Sequence, residues 1–250
     1  KKYIFKKNTI TNHIQQLSEY FGFDCSDLHI QTNQEEDEIV EKNMSNNFNY
    51  FVIFPGGNWE PKIWNIDNYN SLELKNVFDQ IKNISFDGLI VFNGFQSPSL
   101  LSSFREKNFD EAININFKIP MIIINEVLKS KKYTENFNIC LVGSIASQVN
   151  EIGNAYYGLS KKMLAHSSKI LAKELKQKTV RVNCLNIGLV ETKMSLNILK
   201  KIPEKNRIEL LAKQGNKYVE IQQIASSIET LLLNKAINGE NINIDNGYSL

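Results

Sequence analysis

The chain has 250 residues, which suits one large domain or two small ones, and 42% of them are hydrophobic, enough for a sizeable core and too many for a disordered chain. The net charge of +2 gives no strong field for nucleic acid or an acidic membrane surface, and no apolar run approaches membrane-spanning length. Cys25, Cys140 and Cys184 are odd in number and widely spaced, and His13, His29 and His166 lack metal-ligand spacing, so neither a disulfide framework nor a metal site is expected.

These features predict a reduced, cytoplasmic protein without signal peptide, metal, nucleic-acid partner or membrane segment. The first residue is Lys1, not methionine, which fits a piece of a longer, fused polypeptide.

The first sixty residues are the least regular. Residues 3–5 read as a short strand, and residues 9–21 as a helix with Ile10, Ile14, Leu17 and Phe21 on one face. The stretch 34–49 is polar, either a solvated helix or a loop. Residues 51–54 form another strand candidate, stopped by Pro55-Gly56-Gly57. From there, apolar strands and amphipathic helices alternate, the pattern of parallel βαβ units. Strands are predicted at 89–92, 139–142, 180–186 and 242–244, and helices near 71–83, 109–130, 155–177 and 221–234. Pro120 lies inside the second helix and is expected to kink it. The fold class is therefore α/β, a Rossmann-like doubly wound parallel sheet in a single domain over 1–250, with 1–60 divergent.

Ser144, Tyr157 and Lys161 carry the chemistry. Tyr157 and Lys161 are i and i+4 on one predicted helix, so they share a face. An ammonium beside a phenol favours the phenolate, so the tyrosine is expected to be acidified. Ser144 stands thirteen residues before Tyr157, at the end of the run Asn-Ile-Cys-Leu-Val-Gly. Its hydroxyl would hold a substrate oxygen against the phenol, which makes an acid/base site for a carbonyl or an alcohol.

From about Asn65 onward the chain resembles the short-chain dehydrogenases/reductases. The resemblance rests on Asn65-Ile66-Asp67, on Asn93-Gly94 within Phe92-Asn93-Gly94-Phe95, and on Asn114-Ile115-Asn116. It also rests on Gly143-Ser144-Ile145-Ala146-Ser147, Tyr157-Gly158-Leu159-Ser160-Lys161, Val180-Arg181-Val182-Asn183, Ile187-Gly188 with Thr192, and the closing 239–247. The resemblance implies hydride transfer between a nicotinamide and a carbonyl or alcohol carbon. Tyr157 would be the acid/base, and Lys161 would lower its pKa and hold the nicotinamide ribose. Ser144 would orient the substrate oxygen, and Asn116 would hold a water that links Lys161 to solvent. Asn65, Asn93, Gly94, Gly188 and Thr192 would line the cofactor site, with Tyr157 and Lys161.

One departure is marked. The family's glycine-rich phosphate loop would fall on Ile4-Phe5-Lys6-Lys7-Asn8-Thr9-Ile10-Thr11, which contains no glycine. Lys6 and Lys7 are the candidates for the phosphates, and a basic pair there favours NADP(H) slightly over NAD(H). The stretch after Thr192, 193–217, would cover the substrate. Its Lys200, Lys201, Lys205, Arg207 and Lys213 suggest an anionic substrate such as a sugar or polyol phosphate, although such charges also suit a solvated helix face. The family also implies a homodimer or homotetramer through the helices near 109–130 and 155–177. The rival reading is a non-catalytic scaffold or oligomerisation domain that has lost the phosphate loop.

Overall fold

The structure, a computed structural model, describes residues 3–5, 50–53 and 85–250. The predicted helices 9–21 and 71–83, the polar stretch 34–49, and Lys6, Lys7, Asn65, Cys25, His13 and His29 lie outside these residues.

Six parallel strands form one sheet: β1 (Tyr3–Phe5), β2 (Tyr50–Ile53), β3 (Phe86–Phe92), β4 (Tyr133–Ser144), β5 (Arg181–Ile187) and β6 (Asn241–Ile244). They lie side by side in chain order. The described helices are α1 (Glu106–Ile113), α2 (Ile119–Ser130), α3 (Ala155–Glu174), α4 (Lys193–Leu199), α5 (Glu204–Lys213) and α6 (Ile221–Leu233).

The central strands are apolar on both faces because both are covered, as parallel sheets require. Alternate residues Leu89, Val91, Ile139, Leu141, Val182 and Cys184 face α1, α2 and α3. The intervening Ile90, Cys140, Val142 and Leu185 face Val219 and the α6 residues Ile224, Ile228 and Leu231. Cys140 and Cys184 are buried and free on opposite faces, so they cannot pair across the sheet. The connections β3–β4 and β4–β5 cross the first face, whereas β5–β6 takes the same step over the second. Its hand is therefore opposite to theirs.

The predicted helix 109–130 is divided. A π-helical turn, Asn114–Lys118, separates α1 from α2. Pro120 sits in the first turn of α2, where its missing N–H is tolerated. The irregularity therefore precedes the proline, which cannot donate to the carbonyl of Asn116 four residues back. Such turns recur at functional sites.

The strand expected to carry the phosphate loop occupies an edge position. β1 pairs only with β2 among the described strands, and β2 takes the place next to β3. At about 4.8 Å per strand, the end of β1 stands about 10 Å from that of β3.

Candidate active site

Lys161 is the centre of the site. It lies on the second turn of α3, is 2% exposed, and donates from Nζ to the carbonyl of Asn93 at 2.6 Å and of Val142 at 3.0 Å. The ammonium thus joins the ends of β3 and β4. Burial pulls its pKa down to about 8, and the nearby Cys184 opposes that shift. The same burial, partly offset by Lys161, pushes the Cys184 thiol up to about 12, so it stays protonated.

Ser144 ends β4 in extended conformation, and its hydroxyl accepts from the Ala146 N–H at 3.2 Å, capping the short turn Ile145–Ser147. Two glycines permit close approaches here, Gly158 of the helix to the turn after β4 and Gly143 of β4 to side chains of β5. A Cβ on Gly158 would stand 2.9 Å from the carbonyl oxygen of Ala146, and one on Gly143 would meet Asn186 and Cys184. Glycine at 158 therefore seats Tyr157 beside Ser144, and the two side chains are hydrogen-bonded.

The state of Tyr157 corrects the expectation from spacing. Its pKa is raised above the ordinary phenol value, because burial penalises the phenolate more than the Ser144 hydrogen bond favours it. The Lys161 ammonium is directed to two carbonyls and lies 5.8 Å from the centre of the Tyr157 ring. The i,i+4 relation brought the residues together, but the charge is spent on backbone carbonyls and the phenol keeps its proton.

Asn116 falls within the π-helical turn and is fully buried. Its amide donates to the Phe95 carbonyl at 2.9 Å and to the Ser160 hydroxyl at 2.8 Å, and its oxygen accepts the Phe95 N–H at 2.8 Å. The side chain thus fixes the segment after β3 against α3. Asn93 donates to the Ile115 carbonyl at 2.7 Å, while its own buried Oδ1 has no partner among the described residues. Gly94 follows, half-buried. Asn93, Gly94, Asn116, Ser144, Tyr157 and Lys161 therefore meet at the carboxyl ends of β3 and β4, where ligands bind in open α/β sheets.

Gly188 lies after β5, packed so closely that a Cβ would stand 2.9 Å from Asp245 Cα. Thr192 caps α4, accepting the Ser195 N–H at 3.1 Å. Gln214 clamps the intervening loop. It is fully buried, accepts the Leu189 N–H at 2.7 Å, and donates to the carbonyls of Leu189 and Lys217, each at 2.8 Å. The α4–α5 arm is thereby anchored at the mouth of the site. Three of its cations form ion pairs: Lys205 with Glu209 and Arg207 with Glu204, both exposed on α5, and Lys213 with Glu151. Gln214, Ser160 and Glu151 were not foreseen from sequence, since each acts through contacts that only folding creates. The serine preceding Lys161 in the motif was the one available signal.

Among the described residues no cluster of His, Cys, Asp and Glu could hold a metal ion, and no helix is long and apolar enough to cross a membrane.

Comparison with known proteins agrees with this geometry. Residues 59–249 match the family model described as Enoyl-(Acyl carrier protein) reductase. Carbonyl reductase family member 4 of Xenopus laevis is 29% identical over 180 residues, covering 71% of this chain and 74% of that protein. The 3-oxoacyl-[acyl-carrier-protein] reductase FabG of Thermotoga maritima is 26% identical over 200 residues, covering 76% and 77%. A short-chain dehydrogenase family protein from Francisella tularensis has a similar fold, with a TM-score of 0.67 at 24% identity over 80% of this chain and 88% of that one. Actinorhodin polyketide ketoreductase with NADPH matches with a TM-score of 0.72 at 13% identity, over 95% and 93%. The order of the motifs, the doubly covered parallel sheet and the match along 59–249 lead to one assignment: the chain belongs to the short-chain dehydrogenase/reductase family of oxidoreductases.

Proposed function

We propose that the protein reduces a carbonyl compound to an alcohol by NAD(P)H-dependent hydride transfer, with Tyr157 as proton donor. The observation that carries this reading is the assembly of Ser144, Tyr157 and Lys161 at the carboxyl end of the sheet, with the phenol held protonated. A donor must hold its proton before the reaction, and the phenol does so; the reductive direction is taken from the carbonyl and 3-oxoacyl reductases that the chain is similar to.

The described residues fit the nicotinamide half of the cofactor. An ammonium has three donors, and two of those on Lys161 are used on carbonyls, which leaves one for a ribose hydroxyl. The unpartnered Oδ1 of Asn93 offers an acceptor, and Gly188 keeps the loop close to the strand ends. Asn65, Gly94 and Thr192 complete the set, with Lys6 and Lys7 for the phosphates and NADP(H) the favoured form. When bound, the reduced nicotinamide supplies the hydride.

The chain's own part is proton delivery and alignment. The Ser144 hydroxyl donates to the substrate oxygen and fixes it beside the phenol. Tyr157 transfers its proton to that oxygen as negative charge develops there. Asn116 is assigned a water between Lys161 and solvent. Because its side-chain amide is spent on Phe95 and Ser160, that water would rest on the Asn116 carbonyl, to which Pro120 cannot donate, and would share the third Lys161 donor with the ribose hydroxyl. General acid help of this kind contributes about 10²–10⁴-fold.

A sugar or polyol phosphate is the less supported substrate, since Lys213 is held by Glu151, and Lys205 and Arg207 lie beside Glu209 and Glu204. Two loops flanking Ser144 and Tyr157 expose Leu100, Leu101 and Ile152, and are joined by Ser99 N–H donating to the Gly153 carbonyl at 2.8 Å. These exposed apolar side chains on the neighbouring loops support an apolar-chain ketone as the substrate class. Leu159, Met163 and Ile170 form an exposed stripe on α3, which supports a homo-oligomer through the long helices. A cytoplasmic setting completes the reading.

The test is calorimetric titration with NADPH and NADH, followed by turnover of a panel of ketones. Binding of either cofactor and ketone-dependent oxidation are expected. Absence of binding at millimolar cofactor would favour the scaffold alternative, which the assembled site disfavours.

A further inference from the structure

Glu151 stands in the loop between the two reacting side chains, seven residues after Ser144 and six before Tyr157. Its Oε1 accepts from Lys213 Nζ at 2.7 Å and from the Tyr248 hydroxyl at 2.9 Å. Lys213 Nζ also lies 5.6 Å from the centre of the Tyr248 ring. Three segments distant in the chain thus converge on one carboxylate: the serine–tyrosine loop, the end of α5, and the C-terminal turn.

Both partners of Glu151 are themselves fixed. Lys213 precedes Gln214, which clamps Leu189 and Lys217. Tyr248 belongs to a turn in which the buried Asp245 carboxylate accepts the N–H groups of Gly247 at 3.0 Å and Ser249 at 2.9 Å. A second tie runs beside the first: the amides of Gln148 and Asn243 exchange hydrogen bonds of 2.8 and 2.9 Å. The loop is held on its other side by Gln96, which donates to Asn154 at 2.9 Å. Of these ties, the one at Glu151 is the ionic link to the α4–α5 arm.

We propose that Glu151 is a positioning residue that fastens the α4–α5 arm, through Lys213 and Tyr248, onto the Ser144–Tyr157 loop and so sets how tightly the carbonyl substrate is held. This rests on the reading of Ser144 and Tyr157 given above. A partly exposed ion pair adds little to global stability, so the effect is local to the mouth of the site.

The experiment compares the full-length chain with its Glu151→Gln and Lys213→Met variants. KM and kcat are measured for the best ketone with NADPH, and trypsin cleavage is followed at Lys200, Lys201, Lys205 and Arg207 in the arm. For each variant KM is expected to rise about tenfold with kcat almost unchanged, and arm cleavage to accelerate by a similar factor. The double variant should be no worse than either single one. Wild-type KM, or wild-type arm cleavage, in both variants would overturn the proposal. If the wild-type chain turns over no ketone, the reductase reading fails by itself, and the cleavage rates alone decide whether the fastening exists. Should Glu151→Gln not fold, Lys213→Met carries the same decision.

Discussion

Two cations are buried at opposite ends of this sheet, and both are solvated by backbone carbonyls. At the carboxyl end, Lys161 donates to Asn93 and Val142. At the amino end of β5, Arg181 closes the C-terminus of α6: Nη1 donates to the carbonyls of Leu231, Asn234 and Ile237 at 3.1, 3.0 and 2.8 Å, and Nη2 to Leu232 at 2.9 Å. Leu231 and Leu232 carry orphan carbonyls at the negative pole of the helix, where a cation is favoured, and Asn234 and Ile237 belong to the cap and the turn after it. Burial lowers the pKa of both groups. The guanidinium still keeps its charge at any working pH. The ammonium, lowered to about 8, can lose its own. One device therefore stands at two ends: a permanent charge staples β5 to α6, and a titratable one is placed where the proposed proton chemistry would use it.

Replacing the titratable cation separates the two roles most sharply. Lys161→Met should lower turnover at least about a hundredfold while the chain stays folded. Its stability profile carries a sign. The folded-state pKa of Lys161 lies below its unfolded value of 10.5, so between about pH 8 and 10.5 the unfolded chain binds a proton that the folded chain does not. The penalty of the buried charge is present below that window and relieved above it. Stability of the wild-type protein relative to Lys161→Met should thus rise with pH, by about 3 kcal/mol across the window. Urea unfolding of both proteins at several pH values reads this directly.

Replacing the permanent cation should do the reverse. Arg181→Gln removes the charge and leaves carbonyls at the end of α6 unpaired, for a loss of about 3 kcal/mol. Thermal unfolding should show it, and kcat at saturating substrate should hardly move. A smaller effect is expected between these sites. Gly158→Ala pushes a Cβ to within 2.9 Å of the Ala146 carbonyl oxygen, which costs about 1–2 kcal/mol and moves α3 away from Ser144. Its mark is a kcat that falls together with the melting temperature.

The carboxyl end of the sheet that bears the site was legible because its signals are local. Ser144 closes an apolar strand, and Tyr157 and Lys161 repeat at helical spacing within one motif. Strand positions 89–92 and 139–142 fell inside β3 and β4, whose apolar runs are bounded by turn residues. The ionisation of Tyr157 was read in the wrong direction. Spacing reports which side chains share a face, but desolvation and the direction of the ammonium depend on tertiary packing. The division of 109–130 was half legible, since Pro120 announced an irregularity but the turn formed before it. Arg181 and Glu151 were not legible as functional groups. The partners of Arg181 lie some fifty residues further along the chain, and those of Glu151 lie 62 and 97 residues away.

The neighbouring phenols supply the most direct test. Tyr156 is buried against Phe104 and Phe109, its hydroxyl unpartnered among the described residues, whereas Tyr157 meets Ser144. Ketone-dependent oxidation of NADPH is measured for Tyr157→Phe and Tyr156→Phe under identical conditions. The account predicts a loss of at least about a hundredfold in kcat for Tyr157→Phe, with cofactor affinity retained, and near wild-type turnover for Tyr156→Phe. Turnover that survives Tyr157→Phe would contradict it.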